Sequence, residues 1–229
     1  MEINKIYNED CLETMLRMND NFVDIVFTSP PYNRVRNDKY KHYDDNNADY
    51  YELLINSTSE ALRVASGYVI VNLQQNHFNK TEFFNFIGNF ANKINGVITW
   101  EKTNPQPSTN FREASNDYSI TNAVEHFFFI KDGGEFRANS KISNIIKSSV
   151  NSNTFKEHGA VMKKEVAYKI ISNFSKEGDI IYDPFGGCGT TAEVSILLKR
   201  RWILSEISKN YCDISTKRLD PYLRQKTLF

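Results

Sequence analysis

The chain has 229 residues, and its 28 basic and 28 acidic side chains leave a formal net charge of +0. That balance makes no call for nucleic acid, so any polyanion site has to be a local patch. Three cysteines (Cys11, Cys188, Cys212) without paired spacing exclude a disulfide framework and a zinc site, and the charged opening MEINKIYNED lacks the apolar stretch of a signal peptide. No run has the length of a membrane span, and the expectation is one soluble, cytoplasmic domain over residues 1–229 with no membrane partner.

Along the chain, short β-rich runs alternate with helix-period segments, which predicts a mostly parallel sheet covered by helices. Ile3–Tyr7 is the first predicted strand and Val23–Phe27 the second. Ser29, Pro30, Pro31 and Tyr32 follow at once, and paired prolines cannot donate to a sheet ladder, so they form a rigid loop beyond the strand end. Asn33–Asp49 is polar and turn-rich and reads as a loop. Tyr68–Leu73 is the next strand, and Phe83, Phe84, Ile87, Phe90, Ala91 and Ile94 recur at three and four, predicting a helix over Lys80–Asn95. Val97–Glu101 and Glu125–Lys131 are further strands. Asp132–Glu157, rich in Ser, Asn and Lys, reads as a second irregular region. Val166, Ala167, Ile170, Ile171 and Phe174 mark a helix with Gly178 as its C-terminal cap. Ile180–Tyr182 and Trp202–Ser205 complete seven predicted strands, separated by a helix over Thr190–Leu198.

The stretch DIIYDPFGGCGTTAEVSILLKRRWILSEI carries the clearest chemistry. A strand ends in Asp183, then comes a turn with Gly186, Gly187 and Gly189, whose missing side chains would let a ligand approach the backbone. Glu206 closes the next strand 23 residues on, about the spacing at which a carboxylate reaches a ribose in nucleotide-binding folds. No Gly-Lys-Ser/Thr follows the turn, and Asp183 would repel a pyrophosphate, so a cationic, phosphate-free nucleoside suits the site. His42, His77 and His126 have no metal-like spacing, and no metal is predicted. The run Lys199-Arg200-Arg201 reads as a solvated face.

DPFGGCGTT resembles the S-adenosylmethionine motif, and TSPPY the catalytic motif, of DNA amino-methyltransferases, in the order of that family's beta-type arrangement. The resemblance extends over nearly the whole chain, through NEDCLETMLRMNDNFVDIVFTSPPYN, EHGAVMKKEVAYKIISNFSKEGDIIYDPFGG and SEISKNYCDISTKRL. It implies a Rossmann-like S-adenosylmethionine-dependent methyltransferase fold, α/β, with a mostly parallel seven-strand sheet and a β-hairpin at one edge. It also implies cofactor contacts from Asp10, Cys11, His158, Asp183, Pro184, Phe185, Gly187, Gly189, Thr190, Thr191 and Glu206. Glu9, where glycine is common, and Met162-Lys163, in place of an aromatic-proline pair, depart from the family pattern.

The implied reaction explains the Ser-Pro-Pro-Tyr turn. The lone pair of an exocyclic base amine is delocalised into the ring, so an enzyme must accept its N–H groups while the nitrogen pyramidalises. Carbonyls held by the fixed φ of Pro30 and Pro31 do this without reorganisation, with the Ser29 hydroxyl as a further acceptor and Tyr32 as a stacking face for an extruded base. No cysteine follows a proline, so the nucleophile of ring-carbon cytosine methyltransferases is missing. Arg34, Arg36, Lys39 and Lys41, interleaved with Tyr40 and Tyr43, follow the turn and are candidate contacts to double-stranded DNA. Residues of about 132–157 form a short variable recognition region. Within the family, Ser at the position of Ser29 points to the 4-amino group of cytosine, with the 6-amino group of adenine as the alternative. Glutamine or RNA amine methylation, and a catalytically silent partner, are the readings from other classes; motif order opposes the first and intact motifs the second. The resemblance also carries the expectation of a homodimer and of a cognate restriction nuclease.

Overall fold

The computed structural model describes residues 1–33, 49–105, 121–149 and 161–225. Its strands are β1 (Lys5–Tyr7), β2 (Ile25–Thr28), β3 (Val69–Leu73), β4 (Ile94–Lys102), β5 (Val124–Ile130), β6 (Ile145–Ser148), β7 (Ile180–Asp183) and β8 (Arg201–Ser205). The helices are α1 (Cys11–Leu16), α2 (Tyr50–Val64), α3 (Lys80–Phe90), α4 (Lys164–Phe174), α5 (Thr190–Leu197) and α6 (Lys209–Gln225). The strands form one sheet in the order β1-β8-β7-β2-β3-β5-β4-β6. Among the described residues the β3–β5 and β5–β4 pairings are antiparallel and the others are parallel.

Alternation along the strands divides the core. Val26, Val69, Val71, Tyr182 and Ile203 join Met15 of α1, Leu54 and Val64 of α2 and Phe86 of α3 on one face. Ile25, Phe27, Ile70, Phe127 and Ile181 join Val166, Ile170 and Ile171 of α4 and Val194 of α5 on the other. β2, β3 and β7 are buried along their whole length, which is why they read as unbroken apolar runs. A sheet covered on both faces leaves its parallel strand ends as the place for a ligand.

Several sequence expectations change. Among the described residues the sheet has eight strands, because β6 lies inside the region read as irregular, pairing with β4 from Thr99↔Ile145 to Lys102↔Ser148. The β4–β5 hairpin is therefore next to the edge rather than at it. The predicted helix over Lys80–Asn95 stops at Phe90, since Ile94 pairs with Ile130 and opens β4. Its buried face is Phe83, Phe86 and Phe90, while Phe84 is exposed. α2 escaped the periodicity reading because its buried positions include Ser57 and Thr58. Gly178 does not cap α4, whose cap residue is Ser175; at φ 87 it shapes the turn into β7. The basic run is not simply solvated, for half-buried Arg200 donates to the Ser175 hydroxyl (3.0 Å) and carbonyl (2.7 Å).

Candidate active site

The parallel strands place the loops after β1, β2, β3, β7 and β8 at one end of the sheet, and antiparallel β5 begins there. The register Ile25↔Ile181 and Val26↔Tyr182 makes the Ser-Pro-Pro-Tyr turn and the glycine-rich turn direct neighbours.

Asp183 joins them. It is buried at the end of β7, and its carboxylate accepts from Thr28 Oγ1 (2.7 Å), Thr191 Oγ1 (2.6 Å) and the Phe185 amide (3.0 Å). Burial raises its pKa, and the three hydrogen bonds pull the other way without cancelling it. Asp183 thus ties the last residue of the catalytic strand to the first turn of α5.

The glycine-rich turn is held from all sides. Gly186 N–H donates to the Ser205 carbonyl (2.8 Å), Gly187 N–H to Glu206 Oε2 (2.8 Å) and Gly189 N–H to the Gly186 carbonyl (2.8 Å). From α6, Ser215 donates to the Gly187 carbonyl and Arg218 to the Cys188 carbonyl and Thr190 Oγ1. The glycines answer first to the protein's own packing: a Cβ on Gly186 would lie 2.9 Å from Leu204 Cβ, and Gly189 sits at φ +78 with Ser215 3.1 Å from a would-be Cβ. That differs from a turn kept bare for a ligand alone.

Glu206 accepts the amides of Gly187 and Ser208 (both 2.8 Å), one on each oxygen. Each oxygen keeps a further lone-pair direction, enough for two hydroxyl donors. Burial raises its pKa against these two bonds. Asp10 caps α1 by accepting the Leu12 amide (2.7 Å), and Cys11 is buried behind it, its thiol pushed up to about 12 by burial and then by Asp10. Asp183 and Glu206 flanking a turn of backbone N–H groups suit a cationic nucleoside with free hydroxyls and disfavour a phosphate, so the donor set fits the cofactor that the motif implies. His158 and the basic group Arg34, Arg36, Lys39 and Lys41 lie outside the described residues.

At the catalytic turn, the carbonyl of Tyr32 accepts from Asn76 Nδ2 (2.8 Å) and Asn79 Nδ2 (2.9 Å). Among the described residues no group donates to the carbonyls of Ser29, Pro30 or Pro31. Tyr32 is 6% exposed, so the face expected to stack is covered in this state. Its hydroxyl enters a polar cluster that sequence reasoning missed. Tyr32 donates to Glu125 Oε2 (2.9 Å), Asn72 Nδ2 lies 2.8 Å from the Tyr32 oxygen and 2.7 Å from Glu125 Oε2, and Ser29 Oγ is 3.1 Å from the Tyr32 oxygen. Lys102 Nζ pairs with Glu125 Oε1 at 2.6 Å, with both side chains about nine-tenths buried. The available signal was a lone Asn in the apolar strand VIVNL and a Glu opening VEHFFFI.

A family model described as DNA methylase, of the N6 and N4 type, matches residues 23–217. The chain is 28% identical to the type II methyltransferase M.BamHI of Bacillus amyloliquefaciens over 258 aligned positions, covering 99% of this chain and 59% of that protein's length. In fold it resembles the PvuII DNA methyltransferase (cytosine-N4-specific), with TM-score 0.73, 17% identity and coverage of 98% of this chain and 93% of that one. It also resembles M1.HpyAVI, solved as a SAM complex, with TM-score 0.64, 21% identity and coverage of 94% and 99%. With most of the sequence matched by one model, and both of its motifs meeting across neighbouring strand ends, the chain belongs to the DNA methylase family, whose cofactor is S-adenosylmethionine.

Proposed function

We propose that this protein methylates the exocyclic 4-amino group of cytosine in double-stranded DNA, on a base turned out of the duplex. The observation that carries the reading is the Thr28–Asp183–Thr191 bridge, which fixes the acceptor turn beside the glycine-rich turn. Bound S-adenosylmethionine supplies an electrophilic methyl group. Glu206 accepts its ribose hydroxyls, Asp10 and Cys11 border the adenine, and the loop from Pro184 to Thr191 borders the amino-acid end.

The carbonyls of Ser29, Pro30 and Pro31 and the Ser29 hydroxyl accept the amine N–H groups, which lets the nitrogen lone pair leave conjugation. Asn76 and Asn79 hold the turn's far end, so acceptor geometry is set before the base arrives. Arg34, Arg36, Lys39 and Lys41 contact DNA phosphates. Tyr32 stacks on the base only if its ring is uncovered during binding, because it is buried in the free protein. Ser29, at the motif position where serine points to cytosine, supports that base. A homodimer and a companion nuclease are the partners we propose.

The test is to incubate the chain with labelled S-adenosylmethionine and unmethylated genomic DNA, digest, and identify the labelled nucleoside by mass spectrometry. Label on the cytosine 4-amino group supports the proposal. Label on the adenine 6-amino group overturns the base, and label confined to RNA or protein overturns DNA as the substrate.

A further inference from the structure

We infer that Glu125 fixes the direction of the Ser29 hydroxyl, so that Ser29 meets the substrate amine as an acceptor only. This rests on the amine-methylation reading above and assigns a positioning role to a residue two contacts away from Ser29.

A carboxylate can only accept, and a phenol has one proton and two lone pairs. The Tyr32 proton goes to Glu125 Oε2 at 2.9 Å, which leaves the Tyr32 oxygen as an acceptor towards everything else. Asn72 Nδ2, at 2.8 Å, fills one lone pair with one of its two protons and gives the other to Glu125. Turning that amide over would set Oδ1 against the carboxylate, so its orientation is fixed as well. The remaining Tyr32 lone pair faces Ser29 Oγ at 3.1 Å, and two oxygens so placed need one proton between them. Tyr32 has already given its own, so Ser29 supplies it. The Ser29 lone pairs are then left for the substrate.

Lys102 sets the polarity of the chain from the other end. Its ammonium occupies Glu125 Oε1 at 2.6 Å and sits 5.4 Å from the Trp100 ring centre. Asn72 and Glu125 are 1% and 7% exposed, so water does not compete for these bonds, and neighbouring bonds in such surroundings polarise one another. The result is one direction of donation, from Ser29 through Tyr32 to Glu125. A Ser29 hydroxyl so committed cannot also donate to the ring nitrogen beside the amine, and that nitrogen must find its donor elsewhere.

The test uses the full chain with unmethylated genomic DNA and labelled S-adenosylmethionine. In Glu125→Gln the amide oxygen stays on Lys102 and the NH2 turns to Tyr32, which reverses the chain and points the Ser29 proton at the substrate. We expect kcat to fall on the order of 10–100-fold, with KM for S-adenosylmethionine unchanged within about twofold. Ser29→Ala should cost a similar factor in the parent and little more in the Glu125→Gln background. Equal costs of Ser29→Ala in both backgrounds, or parental kcat for Glu125→Gln, would overturn the inference. If Glu125→Gln fails to fold, Tyr32→Phe, which keeps the ring, should show the same loss and the same weakened effect of Ser29→Ala. A readout independent of turnover is the 13Cζ resonance of Tyr32, identified by its disappearance in Tyr32→Phe. It should move in Glu125→Gln, and if it stays the inference fails even without a turnover assay. A Tyr32 resonance that moves, in a parent that methylates no DNA, leaves the orientation standing and overturns the proposed function alone.

Discussion

Replacing one threonine hydroxyl at a time with a methyl group tests the bridge at Asp183. Thr28→Val and Thr191→Val keep side-chain shape and delete bonds of 2.7 and 2.6 Å to a carboxylate at 5% exposure. A hydrogen bond to a charged group contributes about 1.5–3 kcal/mol, so each variant should lose that much, a urea midpoint shift of roughly 0.5–1 M for a slope near 3 kcal/mol/M. Independent losses would sum to about 3–6 kcal/mol in the double variant. They should not sum fully, because the folded-state pKa of Asp183 already lies above its ordinary value and losing either donor raises it again. With the carboxyl closer to its neutral form, the second threonine bonds a weaker acceptor, and we expect the double variant to fall short of the sum by about 1–2 kcal/mol. The pH dependence has a definite sign. A group whose folded pKa is raised contributes stability that is complete below the unfolded value and is lost as pH rises through the folded one. Each valine therefore steepens the loss of stability above the ordinary aspartate value of about 3.9, and its cost shrinks as pH is lowered through the Asp183 transition. Urea unfolding of the four proteins at several pH values gives the answer; strictly additive losses independent of pH would refute the coupling.

Glu206→Ala should weaken S-adenosylmethionine binding by about 1.5–3 kcal/mol in calorimetry without DNA. Affinity in the parent should also fall as acid protonates Glu206, whose raised pKa brings that loss to a higher pH than for an ordinary glutamate. Arg218→Met removes one partner of buried Glu193, and because Lys164 and Tyr222 still meet the carboxylate it should cost about 1.5–3 kcal/mol in urea unfolding, short of the loss for an unpaired buried charge. Burial pushes the Glu193 pKa up, but Tyr222, Arg218 and Lys164 together bring it below its ordinary value, so its stabilisation holds above that value and is lost as pH falls; the variant should show less of this acid-side loss. Gly186→Ala forces a Cβ to 2.9 Å from Leu204 and should cost about 1–3 kcal/mol, read as a lower thermal midpoint in calorimetry.

What the sequence disclosed is what is local in it. Paired prolines after an apolar run, and glycines between Asp183 and Thr190, punctuate the chain within a few residues, and both turns stand at strand ends as their motifs implied. Glu206 was legible because strand, helix and strand have nearly fixed lengths, which fixes where the second carboxylate falls. Asn72, Lys102 and Glu125 were not legible as a group, since only the pairing of β5 between β3 and β4 brings them to Tyr32, and no spacing rule spans the 93 residues from Tyr32 to Glu125. The strand β6 was lost in polar surroundings because its four residues bury only Ile146. The covering of Tyr32 is a tertiary fact; the residue type alone suggested an open ring.

The hydrogen bond from Thr28 to Asp183 spans 155 positions of the chain, and that separation is also a time. At about 5–20 residues per second, a ribosome emits the aspartate roughly 8 to 30 s after the threonine. In that interval β2 can pair with β3, which follows it closely, but its other edge waits for a strand not yet synthesised. A growing chain therefore carries an open, apolar strand edge through most of its synthesis, the kind of surface that invites chaperones or misassociation. The two halves of the active site come into being together, late, in the act that closes this edge.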